Sequence, residues 1–234
     1  MAEETGDSAQ EQQQQTTQCP NCGHEQLVEP VTVIRKEDKE FLDALFKGTL
    51  NTHQCTYCNR MFVLEVPVLY RDDEAMCLIY YMPLESKKQR QTAEEKMDEF
   101  TGEIFDEAEM SAAQYRLTVT RRGFMEKIAI HQAGLDDRFV EYFKYQLINQ
   151  RKEDLDPVRR ELLYDFSNKE SDKIAFLVYD RETGEAEAGA HVEREVYDET
   201  AEMFKPGSSL YEELKTLFPG AYVSVDRILE EQDE

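Results

Sequence analysis

The sequence predicts an α+β protein in two parts. The first is an N-terminal ribbon pinned by cysteines, with a helical insert and a β-hairpin; the second is a C-terminal α+β domain. Three observations carry that expectation. Four of the five cysteines fall in two C-x-x-C pairs, Cys19 with Cys22 and Cys55 with Cys58, separated by the 32 residues 23–54. Helix and strand signals alternate through residues 115–229 without an internal repeat. The 234 residues are 40% apolar and include 12 Phe and 12 Tyr, enough to furnish a core at a length typical of roughly one or two domains.

Residues 1–18 hold little that could bury apolar surface and include a run of glutamines, Gln12 to Gln15, so they read as a disordered tail. The ribbon domain is expected over 19–83. Within it, residues 27–34 carry Leu27, Val28, Val31, Val33 and Ile34 between turn-like flanks and read as a strand. Residues 38–47 place Phe41, Leu42, Leu45 and Phe46 at helical spacing, and Gly48 follows where a helix-ending glycine is expected. Residues 62–70 and 75–82 are β-rich runs, with 71–74 as a hairpin turn. Residues 84–114 form an acidic segment. Thr92 with Glu95 fits a capping box, and Met97, Phe100, Ile104 and Ala108 share a helical face interrupted by Gly102. The pattern admits either a linker or a docked helix.

The C-terminal domain is expected over 115–229. Residues 115–120 read as a strand and 124–131 as a helix that stops near Gly134. Residues 137–149 read as a helix with Phe139, Val140, Phe143 and Leu147 on one side and Asp136 as N-cap. Pro157 suits the first turn of a short helix ending near Tyr164. A strand at 173–180 turns through Glu182, Thr183 and Gly184 towards a weaker one at 186–192. Helices at 195–204 and 210–218 follow, the second with Ser209 and Glu212 as a capping box, and 221–225 reads as a last strand. Residues 230–234 read as an acidic tail.

The two cysteine pairs match the demand of a closed tetrahedral zinc site for four thiolates. The spacing within each pair lets one tight turn place both sulfurs on a single ion. Pro20 pre-sets φ for the first turn, and Gly23 can take the left-handed conformation that follows it. Asn59 stands in the second pair where Gly23 stands in the first, and Asn is the next-best residue for that conformation. Zn2+ bound by Cys19, Cys22, Cys55 and Cys58, one ion per chain, is therefore the expected cofactor, with iron on the same sulfurs as its nearest rival. A redox C-x-x-C would sit at a helix N-terminus, whereas a strand pattern follows Cys22. His24 and His53 lie beside a coordination shell already filled by sulfur, and Cys77 reads as a buried, inert thiol.

Cys-Pro-x-Cys-Gly-His at 19–24, a helix ending Lys47-Gly48-Thr49-Leu50-Asn51-Thr52, the second C-x-x-C and Pro67-Val68-Leu69-Tyr70 together resemble the CpXC domain family. These are bacterial proteins named for their paired cysteine motifs. The resemblance covers about residues 17–83 and implies zinc binding through the same four cysteines. It departs at Thr56 and Asn59, where the family has proline and glycine. Glu126-Lys127-Ile128 and Gly134-Leu135-Asp136-Asp137-Arg138 resemble a segment of longer relatives, which implies that the second half shares the architecture.

Charge narrows the function classes. Fifty Asp+Glu against 27 Lys+Arg leave a net charge of −23. Residues 19–83 alone hold six basic residues (Arg35, Lys36, Lys39, Lys47, Arg60 and Arg71) against ten acidic ones. Nucleic acids and anionic membranes draw binding energy from Lys and Arg, so neither is an expected partner. The longest apolar run, 75–82, is far short of the roughly 18 residues of a membrane span. The N-terminus lacks the basic start and apolar stretch of a secretory signal, which places the expected location in the cytoplasm.

No catalytic constellation stands out. Asp136-Asp137-Arg138 reads as a helix cap with a first-turn carboxylate. His131 and His191 are isolated, and neither a G-x-S-x-G nucleophile nor a phosphate-cradling glycine loop is present. Tyr142, Phe143 and Tyr145 read as core and rim, and Arg121-Arg122 and Arg159-Arg160 as solvated doublets. The expected function is a zinc-binding, non-catalytic interaction or scaffold protein that docks a protein partner. The alternative is a redox- or zinc-responsive switch using the same four cysteines. A nucleic-acid-binding ribbon is a third reading, which the charge opposes.

Overall fold

The computed structural model describes residues 14–105, 109, 113–170, 172–205 and 207–232. The chain divides into two compact units, Met1–Arg71 and Asp72–Glu234. Both mix helix and strand, as the fold class anticipates.

The first unit is built from short hairpins around one helix. β1 (Gln15–Gln18) pairs antiparallel with β2 (Glu25–Val28), Gln15 opposite Val28. The expected tail thus enters the fold at Gln15; its residues 1–13 lie outside the described residues. The single strand expected over 27–34 is two. β2 ends at Val28, and β3 (Val33–Arg35) begins after Pro30, which cannot donate to a ladder. β3 runs parallel to β6 (Val68–Asp72), Val33 beside Leu69. Between them lie α1 (Lys39–Phe46) and the hairpin of β4 (Thr52–Gln54) with β5 (Met61–Val63). The run expected over 62–70 is therefore also broken, on the near side of Pro67.

α1 buries Leu42 and Leu45 and ends at Gly48, φ 72°, as its spacing anticipates. Asp38 does not cap it; its Oδ2 instead accepts the Arg35 N–H at 2.7 Å. Asn51, buried and left-handed at φ 58°, braces the stretch between β2 and β3. Its Oδ1 accepts the Val31 N–H at 2.8 Å and its Nδ2 donates to the Val31 carbonyl at 2.9 Å. The side chain thereby supplies the bonds that a neighbouring strand would give.

The second unit starts with β7 (Cys77–Tyr81), buried throughout, which lies parallel to β8 (Gln114–Thr118). Parallel neighbours require a long crossover. The acidic segment supplies it, with α2 (Lys87–Glu95) and α3 (Met97–Gly102). The cap of α2 is Ser86, accepting from the Gln89 N–H, while the anticipated cap Thr92 lies inside the helix and donates to the Lys88 carbonyl. Ala108 of the expected helical face lies outside the described residues. Arg90 holds Glu230 through two hydrogen bonds of 2.9 and 2.7 Å. Glu94 accepts the Tyr222 N–H and pairs with Arg227. The crossover is thereby fastened to the C-terminal end of the chain.

α4 (Arg121–Gln132) and α5 (Asp137–Gln150) follow, capped by Thr120 and Asp136. β9 (Arg160–Tyr164), β10 (Lys173–Asp180) and β11 (Ala186–Glu193) form an antiparallel sheet in the order β11-β10-β9. The short helix expected after Pro157 is thus a strand. Leu162 and Leu163 are buried and the segment pairs with β10, which outweighs the local helical pattern. α6 (Arg194–Met203), α7 (Ser209–Leu217) and α8 (Val225–Gln232) complete the unit. Ser208, one residue earlier than expected, caps α7. The strand expected over 221–225 is irregular chain, which meets β8 through a bond from the Leu117 N–H to the Ala221 carbonyl, 3.0 Å. The helix lies beyond it, reaching into the stretch expected to be an acidic tail; residues 233–234 are outside the described residues. Phe139, Val140, Phe143, Phe176, Tyr197 and Phe218 centre the main apolar core. Among the described residues no helix is long and apolar enough to cross a membrane.

Candidate metal centre

Each C-x-x-C pair sits in a turn with the same backbone bonds. In the first, the Gly23 N–H donates to the Cys19 carbonyl and the Cys19 N–H to the His24 carbonyl, both 2.9 Å. In the second, the Asn59 N–H donates to the Cys55 carbonyl and the Cys55 N–H to the Arg60 carbonyl, again 2.9 Å. Gly23 at φ 72° and Asn59 at φ 59° complete the equivalence, in the conformation their residue types favour. β1 and β2 flank the first turn, β4 and β5 the second.

Three side chains join the turns, the first being Asn21, whose Nδ2 donates to Cys58 Sγ at 3.5 Å. The Gln26 Oε1 accepts the Thr56 N–H at 2.9 Å while its Nε2 donates to the Gln54 carbonyl at 3.2 Å. His24 stacks on Tyr57 with ring centroids 5.4 Å apart. Cys19, Cys55 and Phe62 form a small buried cluster behind the site, with Cys58 half-buried against it and Cys22 exposed.

The four sulfurs of Cys19, Cys22, Cys55 and Cys58 all lie within 4.8 Å of one another. Across the turns, Cys19 Sγ is 3.7 Å from Cys58 Sγ, and Cys22 Sγ is 3.6 Å from Cys55 Sγ. A disulfide would need about 2.05 Å. A tetrahedral ion with metal–sulfur bonds of about 2.3 Å separates its ligand sulfurs by about 3.8 Å. The arrangement is thus a cage of the size that a four-sulfur metal ion requires.

Electrostatics point the same way. The Arg60 backbone N–H first, then the Asn21 amide and the Cys22 and Cys55 thiols, draw Cys58 down to about 6 against desolvation. Cys55 is lowered, chiefly by the Cys58 N–H. For Cys22 the His24 N–H favours the thiolate, but desolvation and hydrogen bonds with the other three cysteines outweigh it and push the thiol up to about 12. Four thiolates cannot share so small a space without a cation between them.

Neither neighbouring histidine belongs to the cluster. His53 packs on Phe62, and burial lowers its pKa and keeps it neutral. An ion held by all four sulfurs would have no open position for water or substrate.

The second unit holds a charged cluster that the sequence reading missed. Arg116 grips Asp137 through two bonds, 2.6 and 2.8 Å. Lys127 lies 3.4 Å from Asp137 and 2.9 Å from Glu141; Lys144 lies 2.9 Å from Glu141 and 2.6 Å from Glu126. All six are buried. Burial raises the Glu126 pKa, whereas Arg116 and Lys127 overcome burial at Asp137 and hold it far below the carboxylate range. Three cations balance three carboxylates, and Glu126 and Glu141 also accept the Tyr164 and Val225 N–H groups. The available signal was the spacing of Asp137, Glu141 and Lys144 along one face of α5. Asp136 caps that helix as expected, its Oδ1 accepting the Arg138 N–H at 2.8 Å. His131 lies 2.9 Å from Asp72, and exposed His191 lies 3.2 Å from Glu193. Cys77 is buried, which pushes its thiol up to about 12.

A family model described as CpXC protein matches residues 17–144, more than half of the chain. The match takes in both cysteine turns, the crossover and most of α5. No curated protein and no solved structure matches the chain.

Proposed function

We propose, for a chain that belongs to the CpXC protein family, that Cys19, Cys22, Cys55 and Cys58 bind one Zn2+ as a structural site and that the protein is a non-catalytic interaction or scaffold protein. The observation that carries this reading is the set of sulfur distances, which fits zinc and leaves no coordination position for chemistry. Thiolates of this kind persist in a reducing compartment, in keeping with a cytoplasmic location. The zinc-holding unit also exposes Leu27, Tyr57 and Met61, at 66%, 75% and 61% of their surfaces, and these apolar groups suit a protein partner. The −23 charge disfavours nucleic acid and anionic membrane in that role.

Metal analysis of protein purified from cells, paired with affinity capture, tests both halves. One zinc per chain is expected, lost in Cys55→Ser. Leu27→Ser with Met61→Ser should keep the metal and lose the captured partner. Metal-free protein overturns the first half, and undiminished capture by the double variant the second.

A second reading rests on the exposure of Cys22. An oxidant can reach that sulfur, so the site could release zinc as a redox switch. Zinc release by low peroxide that thiol reverses supports it, and insensitivity removes it.

A further inference from the structure

The second unit carries an open pocket of about 530 Å3, walled by the start of β8, the first turn of α5 and α7. Tyr115, Arg116, Asp136, Arg138, Tyr211 and Lys215 line it. Arg116 is spent on Asp137, but Arg138 is not comparably held. Its Nε reaches only the Phe218 carbonyl, at 3.5 Å, and its two terminal nitrogens have no acceptor among the described residues. That is unusual in this chain, where acids outnumber bases 50 to 27. Arg90, Arg116, Arg181 and Arg227 each sit on a carboxylate.

Two carboxylates offset Arg138: Asp137, which Arg116 and Lys127 already hold, and then Asp136. The Asp136 Oδ1 already accepts a backbone N–H, and burial followed by Asp137 raises its pKa. Burial, then Arg116, lowers the Arg138 pKa. The guanidinium is therefore a planar fork of donors, charged and undercompensated, facing open space. Lys215 brings a second cation to the same wall, lying 4.8 Å above the Tyr211 ring, with Glu212 3.2 Å away.

We propose that this pocket is an oxyanion site, in which the Arg138 fork takes the phosphate or carboxylate group of a small molecule and Lys215 supplies the second positive charge. A two-oxygen anion matches the fork in plane and spacing, and binding returns to Arg138 the charge partner that other arginines of the chain find within the protein. The volume exceeds that of a bare ion, which leaves room for the body that bears the group. The site is independent of the metal.

Nitrogen-15 NMR of the full zinc-loaded chain, titrated with inorganic phosphate and separately with benzoate, tests it. Saturable shifts of the Arg138, Tyr211 and Gly220 amides are expected with at least one anion, and the responsive arm tells phosphate from carboxylate. Arg138→Gln should weaken binding about tenfold or more, Arg138→Lys should recover part of it, and Lys215→Gln should weaken it several-fold. No saturation with either anion overturns the proposal. So does undiminished binding by folded Arg138→Gln or, should that variant not fold, by Arg138→Lys and Lys215→Gln together.

Discussion

Gly23 and Asn59 hold the same left-handed backbone position, at φ 72° and 59°, one residue past the second cysteine of each turn. From there each donates its N–H to the carbonyl of the first cysteine, Cys19 or Cys55, at 2.9 Å. The position closes the turn that aims the sulfurs inward.

That equivalence makes the two sites predictable in opposite directions. A Cβ built on Gly23 meets no atom within 4 Å, so Gly23→Ala suffers only backbone strain, about 1 kcal/mol. Asn59→Gly removes strain and should be neutral or slightly stabilising. Chelator competition on the zinc-loaded variants reads both shifts.

Asn51→Ala should cost about 2–4 kcal/mol. It strips the Val31 N–H and carbonyl of their partners in a buried stretch, and it places alanine at φ 58°. Urea unfolding followed by the first unit's amide signals checks the value.

In the buried charge cluster, Asp137→Asn should cost about 3–5 kcal/mol, because it leaves the buried Arg116 without its carboxylate and Lys127 with Glu141 alone. Arg116→Met combined with Asp137→Leu should recover much of that loss. Denaturant unfolding of the three proteins gives the comparison.

The same carboxylates set an acid limit. Asp137 and Glu141 have folded pKa values below their ordinary ones, so their contribution is present above about pH 4 and lost as pH falls through the folded values. Glu126, shifted upward, contributes with the opposite sign, losing stability as pH rises through its folded value. The net expectation is falling stability of the second unit below about pH 4, with a shallower pH slope in Asp137→Asn. Unfolding at a series of pH values measures that slope.

Features fixed by neighbouring residues were legible in the sequence. The turns at Gly23 and Asn59, the stop at Gly48 and the cap at Asp136 each depend on a few adjacent residues. What escaped depends on distant partners. Residues 160–164 have a helical pattern, yet β10 recruits them as a strand. Val225–Gln232 looked like the end of a strand and a frayed tail, yet Ile228 buries in the core and Glu230 meets Arg90, 140 residues away. Asp137, Glu141 and Lys144 share a helical face that a local reading assigns to water, whereas Arg116 and Lys127, from β8 and α4, complete them in the interior.

X-ray absorption at the zinc edge, on the full chain purified from cells under reducing conditions, tests the central claim most directly. The account predicts one zinc per chain with four sulfur neighbours at about 2.3 Å and no nitrogen or oxygen neighbour. Substoichiometric zinc, or a shell with fewer than four sulfurs, contradicts it.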